Sequence, residues 1–118
     1  MLESGVSAAG MGASARIREE NPASAADREA IRTVLVEAFG RPDEADLVER
    51  LRAEDAALVS LVATSGGRAA GYVLFSRMWI DTPNGSVAAA ALAPLAVRPA
   101  FQRRGLGAEL ILAGLARL

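Results

Sequence analysis

Gln102-Arg103-Arg104-Gly105-Leu106-Gly107 joins two guanidinium groups to two closely spaced glycines, just ahead of an apolar stretch that reads as a helix. A helix N-terminus leaves about four backbone N–H groups without intrahelical partners and carries partial positive charge, so it accepts anions. Gly105 and Gly107 are expected to let a phosphate approach the backbone closely. Arg103 and Arg104 add planar donors matched to phosphate oxygens, and the spacing leaves open which of them faces a ligand. The chemistry implied is pyrophosphate binding. The spacing lacks the Gly-Lys-Ser or Gly-Lys-Thr of a nucleotide loop and the third glycine of a dinucleotide fingerprint, which makes ATP and NAD poor candidates.

Composition narrows the rest. The 118 residues include 13 basic and 14 acidic ones, a net charge of −1, so no overall field draws nucleic acid or an anionic membrane and any anion site must be local. All the basic residues are arginine, which reads as the mark of a GC-rich genome rather than of chemistry. Cysteine and histidine are both absent. That excludes disulfides, thiolate or imidazole metal sites, a cysteine nucleophile and any triad with a histidine base. No bound metal is expected, and chemistry is left to carboxylates, arginine, hydroxyls, backbone groups or a cofactor.

The elements that must position the loop can be read on either side of it. Arg16-Ile17-Arg18-Glu19 is a first strand candidate, broken by Asn21-Pro22. Ser24 can cap a helix by accepting from the amide near Asp27, and Ile31, Val34, Leu35, Ala38 and Phe39 then follow helical spacing. Gly40 suits the end of that helix and Pro42 prevents its continuation. A second helix is expected over roughly Asp43 to Glu54, with Leu47, Val48 and Leu51 on one face. Leu58 to Ala63 reads as a strand, Ser65-Gly66-Gly67 as a hairpin turn, and Ala70 to Ile80 as a longer returning strand.

Turn chemistry from Asp81 to Ser86 leads into the apolar stretch Val87 to Val97. That stretch is 11 residues long and contains a proline, well short of the roughly 20 residues that cross a bilayer, and no membrane association is expected. Pro94 within it points to a bulge or an edge position, because proline removes a ladder hydrogen bond. Gly105 to Leu118 has helical composition with Glu109 and Arg117 as its only charges, so most of its surface is expected to be buried against the sheet.

Gln102-x-x-Gly105-x-Gly107, preceded by Val97-Arg98-Pro99 on a strand, resembles the central motif of the GNAT superfamily of N-acetyltransferases. The resemblance spans about Ala15 to Leu118. It implies an α/β (α+β) fold: a mixed, mostly antiparallel sheet with flanking helices in the order β-α-α-β-β-β-α. Residues 1–14 are read as a flexible N-terminal tail and 15–118 as the N-terminal and cofactor-binding part of an acetyltransferase domain. A cytoplasmic location is expected, since the tail lacks the form of a secretory signal.

By this resemblance acetyl-CoA is the cosubstrate and the acceptor is a primary amine of a small molecule or a protein. Leu95, Ala96 and Val97 match the strand that pairs with the pantetheine arm. Gln102, Arg103, Arg104, Gly105, Leu106, Gly107 and Ala108 match the pyrophosphate loop and first helical turn. An amide near Leu95 matches the donor that polarises the thioester carbonyl. A homodimer is left open.

The acid and base are harder to place. An amine is mostly protonated at neutral pH, so a carboxylate is needed to take a proton from it. The stretch Val87 to Val97 has no acidic residue, whereas some members of the family place a glutamate there. Asp81 and Glu37 are the remaining candidates, each also readable as a plain surface charge. Tyr72 lies too early to be the family's usual acid and reads as a packing residue, while Phe75, Met78 and Trp79 either line a pocket or fill the core. Leu118 falls inside an apolar helix with no stop signal, so the family's further strand, helix and hairpin are expected to be missing from this sequence. The alternative function is therefore a catalytically incomplete module of the same fold that binds CoA or a partner protein.

Overall fold

Each helix boundary has a local cause. In the computed structural model, which describes residues 15–118, α1 (Ala25–Phe39) begins where Ser24 Oγ accepts from the Asp27 amide at 3.1 Å. It ends at Gly40, whose left-handed backbone (φ 72°) turns the chain and lets its amide reach the Val36 carbonyl. Pro42 then leads into α2 (Asp43–Ala53), which carries Asp43, Glu44 and Asp46 in its first turn and Arg50 and Arg52 in its last, the arrangement that suits the helix dipole. The tail expected over residues 1–14 lies outside the described residues.

Four strands, β1 (Arg16–Glu19), β2 (Ala57–Ser65), β3 (Arg68–Thr82) and β4 (Gly85–Val97), form one antiparallel sheet in the order β1-β2-β3-β4. A short 3-10 turn (Pro99–Phe101) and α3 (Leu106–Arg117) complete the chain. The molecule is thus a mixed α/β fold in the element order expected. Both ends of β2 and β3 and the start of β4 extend one or two residues beyond their expected limits, because cross-strand pairing holds residues such as Asp81 and Gly85 whose own strand propensity is low.

Alternation along the strands divides the core between two faces. Val62, Tyr72, Leu74 and Ala96 meet Ile31, Val34 and Leu35 of α1 and Ala45 and Val48 of α2. Val59, Leu61, Val73 and Phe75 meet Leu106 and Leu110 of α3 on the other side. Burying each of the larger side chains stabilises the fold by roughly 1.5–3 kcal/mol. Tyr72 and Phe75 are core residues.

One expectation about burial fails, and a second, that Phe75, Met78 and Trp79 fill the core, holds for Phe75 alone. Only one stripe of α3 is covered: Leu106, Leu110 and Gly114 are buried, while Leu112 is 67% exposed and Leu115 is exposed as well. A single helix laid on one sheet has only one face to bury, and no element among the described residues covers the other. Trp79 (62% exposed), Met78 and Ile80 lie on the outer half of the β3–β4 hairpin, which extends past the helices and so has no layer against it. Among the described residues no helix is long and apolar enough to cross a membrane.

Candidate cofactor site at the end of β4

The register of β4 on β3 changes where the sequence places a proline. Val73 pairs with Leu95 and Phe75 with Leu92, so Leu74 faces two residues, Ala93 and Pro94, across a bulge. The missing proline N–H is accommodated there without breaking the ladder on either side. Past the bulge, Leu95 and Val97 turn toward α3 and Ala96 toward α1. The outer edge of β4 has no strand partner among the described residues, so its outward-facing backbone groups, apart from the Val97 carbonyl, are available to an extended ligand.

Beyond Val97 the chain is tightly tied. The Arg98 amide donates to Ala70 O at 2.9 Å, the Phe101 amide to Arg98 O at 2.8 Å, and the Gln102 side-chain Nε2 to Val97 O at 2.9 Å. Gln102 therefore spends its side-chain amide on closing the loop. Arg104 stacks on the Phe101 ring at 5.7 Å, a cation–π contact, leaving Arg103 as the member of the pair without a described partner among the bonds of this loop. Arg103 itself has left-handed backbone (φ 67°), which for a residue with a Cβ costs about 1 kcal/mol or more.

Gly105 is the N-cap of α3, also left-handed (φ 76°), and no side chain caps this end. A serine or aspartate there would bond to the second or third amide itself; glycine leaves those amides to a ligand. The first helical bond runs from Glu109 N to Gly105 O at 3.1 Å, so the amides of Leu106, Gly107 and Ala108 precede the intrahelical ladder. The left-handed backbone at Gly105 favours glycine, and a Cβ there would meet no protein atom within 4 Å. A Cβ on Gly107 would make ordinary contacts with Leu95 and Val97, at 3.8 and 3.9 Å, which shows how closely the first turn of α3 lies over β4.

The structure thus brings Leu95, Ala96, Val97, Gln102, Arg103, Arg104, Gly105, Leu106, Gly107 and Ala108 into one strand, loop and helix start. It does not bring Asp81 to them. Asp81 accepts from Ser86 Oγ at 2.8 Å near the hairpin tip, ~26 Å along β3 from Val73 at ~3.3 Å per residue. Glu37, in the last turns of α1, reaches the loop only through Arg98, whose Nε and Nη2 donate to its two oxygens at 2.9 and 3.1 Å.

One polar cluster gave no signal in the sequence. The Glu20 side chain is 3% exposed, accepts from Ser60 Oγ at 2.6 Å and is paired with Arg52. Ser60 has one proton and gives it to Glu20, so Tyr72 must donate to Ser60, at 2.6 Å. Burial pushes the Tyr72 phenol well above its ordinary range and keeps it protonated. Glu20 and Ser60 also line an open cleft of about 580 Å³ with Arg52, Asp55 and Arg117. A glutamate next to Asn21-Pro22 carries no mark of burial, which follows from partners 32 and 40 positions away, Arg52 of α2 and Ser60 of β2. Among the described residues no group of three or more acidic side chains is placed to hold a metal ion.

Comparison with known proteins agrees with this architecture. The chain is 40% identical over 94 residues to a protein named uncharacterized N-acetyltransferase YjhQ of Escherichia coli (strain K12), a match covering 78% of this chain and 52% of that protein. The chain therefore spans about half the length of that curated relative. A GNAT family acetyltransferase from Brucella melitensis, solved in complex with acetyl-CoA, superposes with a TM-score of 0.77 at 35% identity, covering 87% of this chain and 67% of that one. The GNAT family N-acetyltransferase YhbS of Escherichia coli, solved with CoA, gives a TM-score of 0.75 at 35% identity, covering 86% of this chain and 54% of that one. The family model of the acetyltransferase (GNAT) family matches residues 28–118, which take in both core faces, β4, the loop and α3, and the chain belongs to that family.

Proposed function

We propose that this chain binds acetyl-CoA along the outer edge of β4 and at the N-terminus of α3, and that the whole protein transfers the acetyl group to a primary amine of a small molecule or protein. The carrying observation is the open N-terminus of α3, with a glycine cap and the amides of Leu106, Gly107 and Ala108 ahead of the helical ladder. A pyrophosphate fits such an end, and two arginines precede it. The solved relatives that carry acetyl-CoA and CoA support this choice of ligand.

In this reading Leu95, Ala96 and Val97 offer strand-like hydrogen bonds to the pantetheine arm, and an amide near Leu95, just past the bulge, faces the acyl carbonyl. Gln102 acts by closing the loop onto Val97, and Arg103 supplies charge to the phosphates while Arg104 is stacked on Phe101. Acetyl-CoA supplies an activated thioester. The amine nitrogen bonds to the acyl carbon, the carbon–sulfur bond breaks, and the proton lost by the amine is balanced by the one the departing thiolate gains. Glu37, with both oxygens on Arg98, has a structural partner in place of an acceptor amine.

Titration calorimetry with acetyl-CoA, desulfo-CoA and ATP tests the cofactor, and release of free thiol with a panel of amines tests the reaction. Binding of both CoA compounds but not ATP is expected; absence of CoA binding would remove the reading altogether. Binding without thiol release would instead favour the module that holds CoA without turnover. Gly105→Val should weaken CoA binding about tenfold or more, because a β-branched residue resists the left-handed backbone that aims the α3 amides. Unchanged affinity would count against the loop.

A further inference from the structure

We propose that Arg98 is a positioning residue that fixes the origin of the cofactor loop, with Glu37 as its anchor on α1. The inference rests on the reading of the loop as the CoA site only for its consequence, not for its geometry. Arg98 is the first residue after β4 and the N-cap of the 3-10 turn. Its guanidinium makes three directed contacts: Nε and Nη2 to the two Glu37 oxygens at 2.9 and 3.1 Å, and Nη1 to the Ala69 carbonyl at 3.0 Å. Its own amide and carbonyl bond to Ala70 O and the Phe101 amide. One residue therefore joins the helix on one face, the start of β3 and the loop that leads to the helix on the other face.

An ordinary surface ion pair contributes little to stability and holds nothing in place. Three features separate this one from that case. The Arg98 side chain is only 16% exposed, the pairing is bidentate, and the third contact goes to a backbone carbonyl at the β2–β3 irregularity. Glu37 neutralises the Arg98 charge, so the guanidinium is not free to bind phosphate. Its contribution is to preorganise the segment through Gln102, after which Arg103 and Gly105 take their left-handed turns.

Amide hydrogen exchange of the ligand-free chain tests this directly. In Arg98→Met the amides of Phe101 and Gln102, which donate within the loop, should exchange at least about tenfold faster, while that of Leu110 in α3 keeps its protection. CoA affinity should fall about tenfold with the loss of preorganisation. Equal acceleration at Leu110 would mean a general loss of stability, and unchanged exchange in the loop would overturn the proposal. Should Arg98→Met fail to fold, Glu37→Ala removes the anchor from an exposed position and should accelerate the same two amides, with Glu37→Gln, which keeps an acceptor, falling between. If wild type does not bind CoA while the exchange pattern holds, the cofactor reading has failed and the clamp stands.

Discussion

Asp27 shows how a single carboxylate can tie two elements together. Its oxygens accept from Arg18 of β1 at 2.8 and 2.9 Å and from the Asn21 amide at 2.8 Å, which holds its carboxyl down at about 2. The unfolded value is near 3.9, so this stabilisation is fully present above about pH 4 and is lost as pH falls toward the folded value. Asp27→Asn should therefore lower the thermal midpoint at neutral pH, and the gap to wild type should close between about pH 4 and about pH 2. A gap that persists below pH 2 would exclude the ionic origin. At this scale the sequence was informative for residues that act through the backbone: Ser24, Gly40, Pro94 and Gly105 all occupy the conformations that their side chains, or lack of one, suggest. It was silent on residues that act through long-range partners. Arg98 and Glu37 stand 61 positions apart, and Glu20 and Ser60 stand 40 apart, and no local pattern joins either pair.

Among the elements, α3 depends on one close approach. A Cβ on Gly114 would stand 2.0 Å from Cε1 of Phe75, a ring that is itself buried, so the helix can lie this near the sheet only with no side chain at that position. Alanine would gain about 1 kcal/mol in helix propensity. Overpacking opposes it and should win, making Gly114→Ala destabilising by about 1–3 kcal/mol in urea unfolding. In a Phe75→Leu background the cost should shrink, and a double-mutant cycle with no coupling would show that the contact is not its cause. The apolar composition of α3 suggested burial of most of its surface, yet composition does not say how many neighbours a helix has. Helical periodicity on α1 was a better guide, since Ile31, Val34 and Leu35 form its core stripe and, of the residues expected on that stripe, Phe39 in the last turn is the one exposed.

Taken whole, the molecule is asymmetric, 55 × 28 × 25 Å, and β3 alone runs ~50 Å at ~3.3 Å per residue. The outer half of the β3–β4 hairpin exposes Ile80 opposite Val87 on one face and Trp79 on the other. Exposed apolar strands with an open edge favour association between chains. Sedimentation velocity of the 118-residue chain should show self-association that rises with concentration, and Ile80→Lys combined with Val87→Glu should reduce it while keeping a cross-strand pair. A chain that stays monomeric at all concentrations would refute this. Fold class and strand count were legible because turns and periodicity are local; the distribution of exposed apolar surface was not, because it depends on which layers cover which strands. Each strand lies beside the one made just before it, and the β2–β3 and β3–β4 turns are only two residues long. Little chain entropy is lost in closing them, whereas β1 can join only after the α1–α2 segment has looped back. The two hairpins are therefore expected to form early and quickly, with attachment of β1 as the slow step that sets the folding rate.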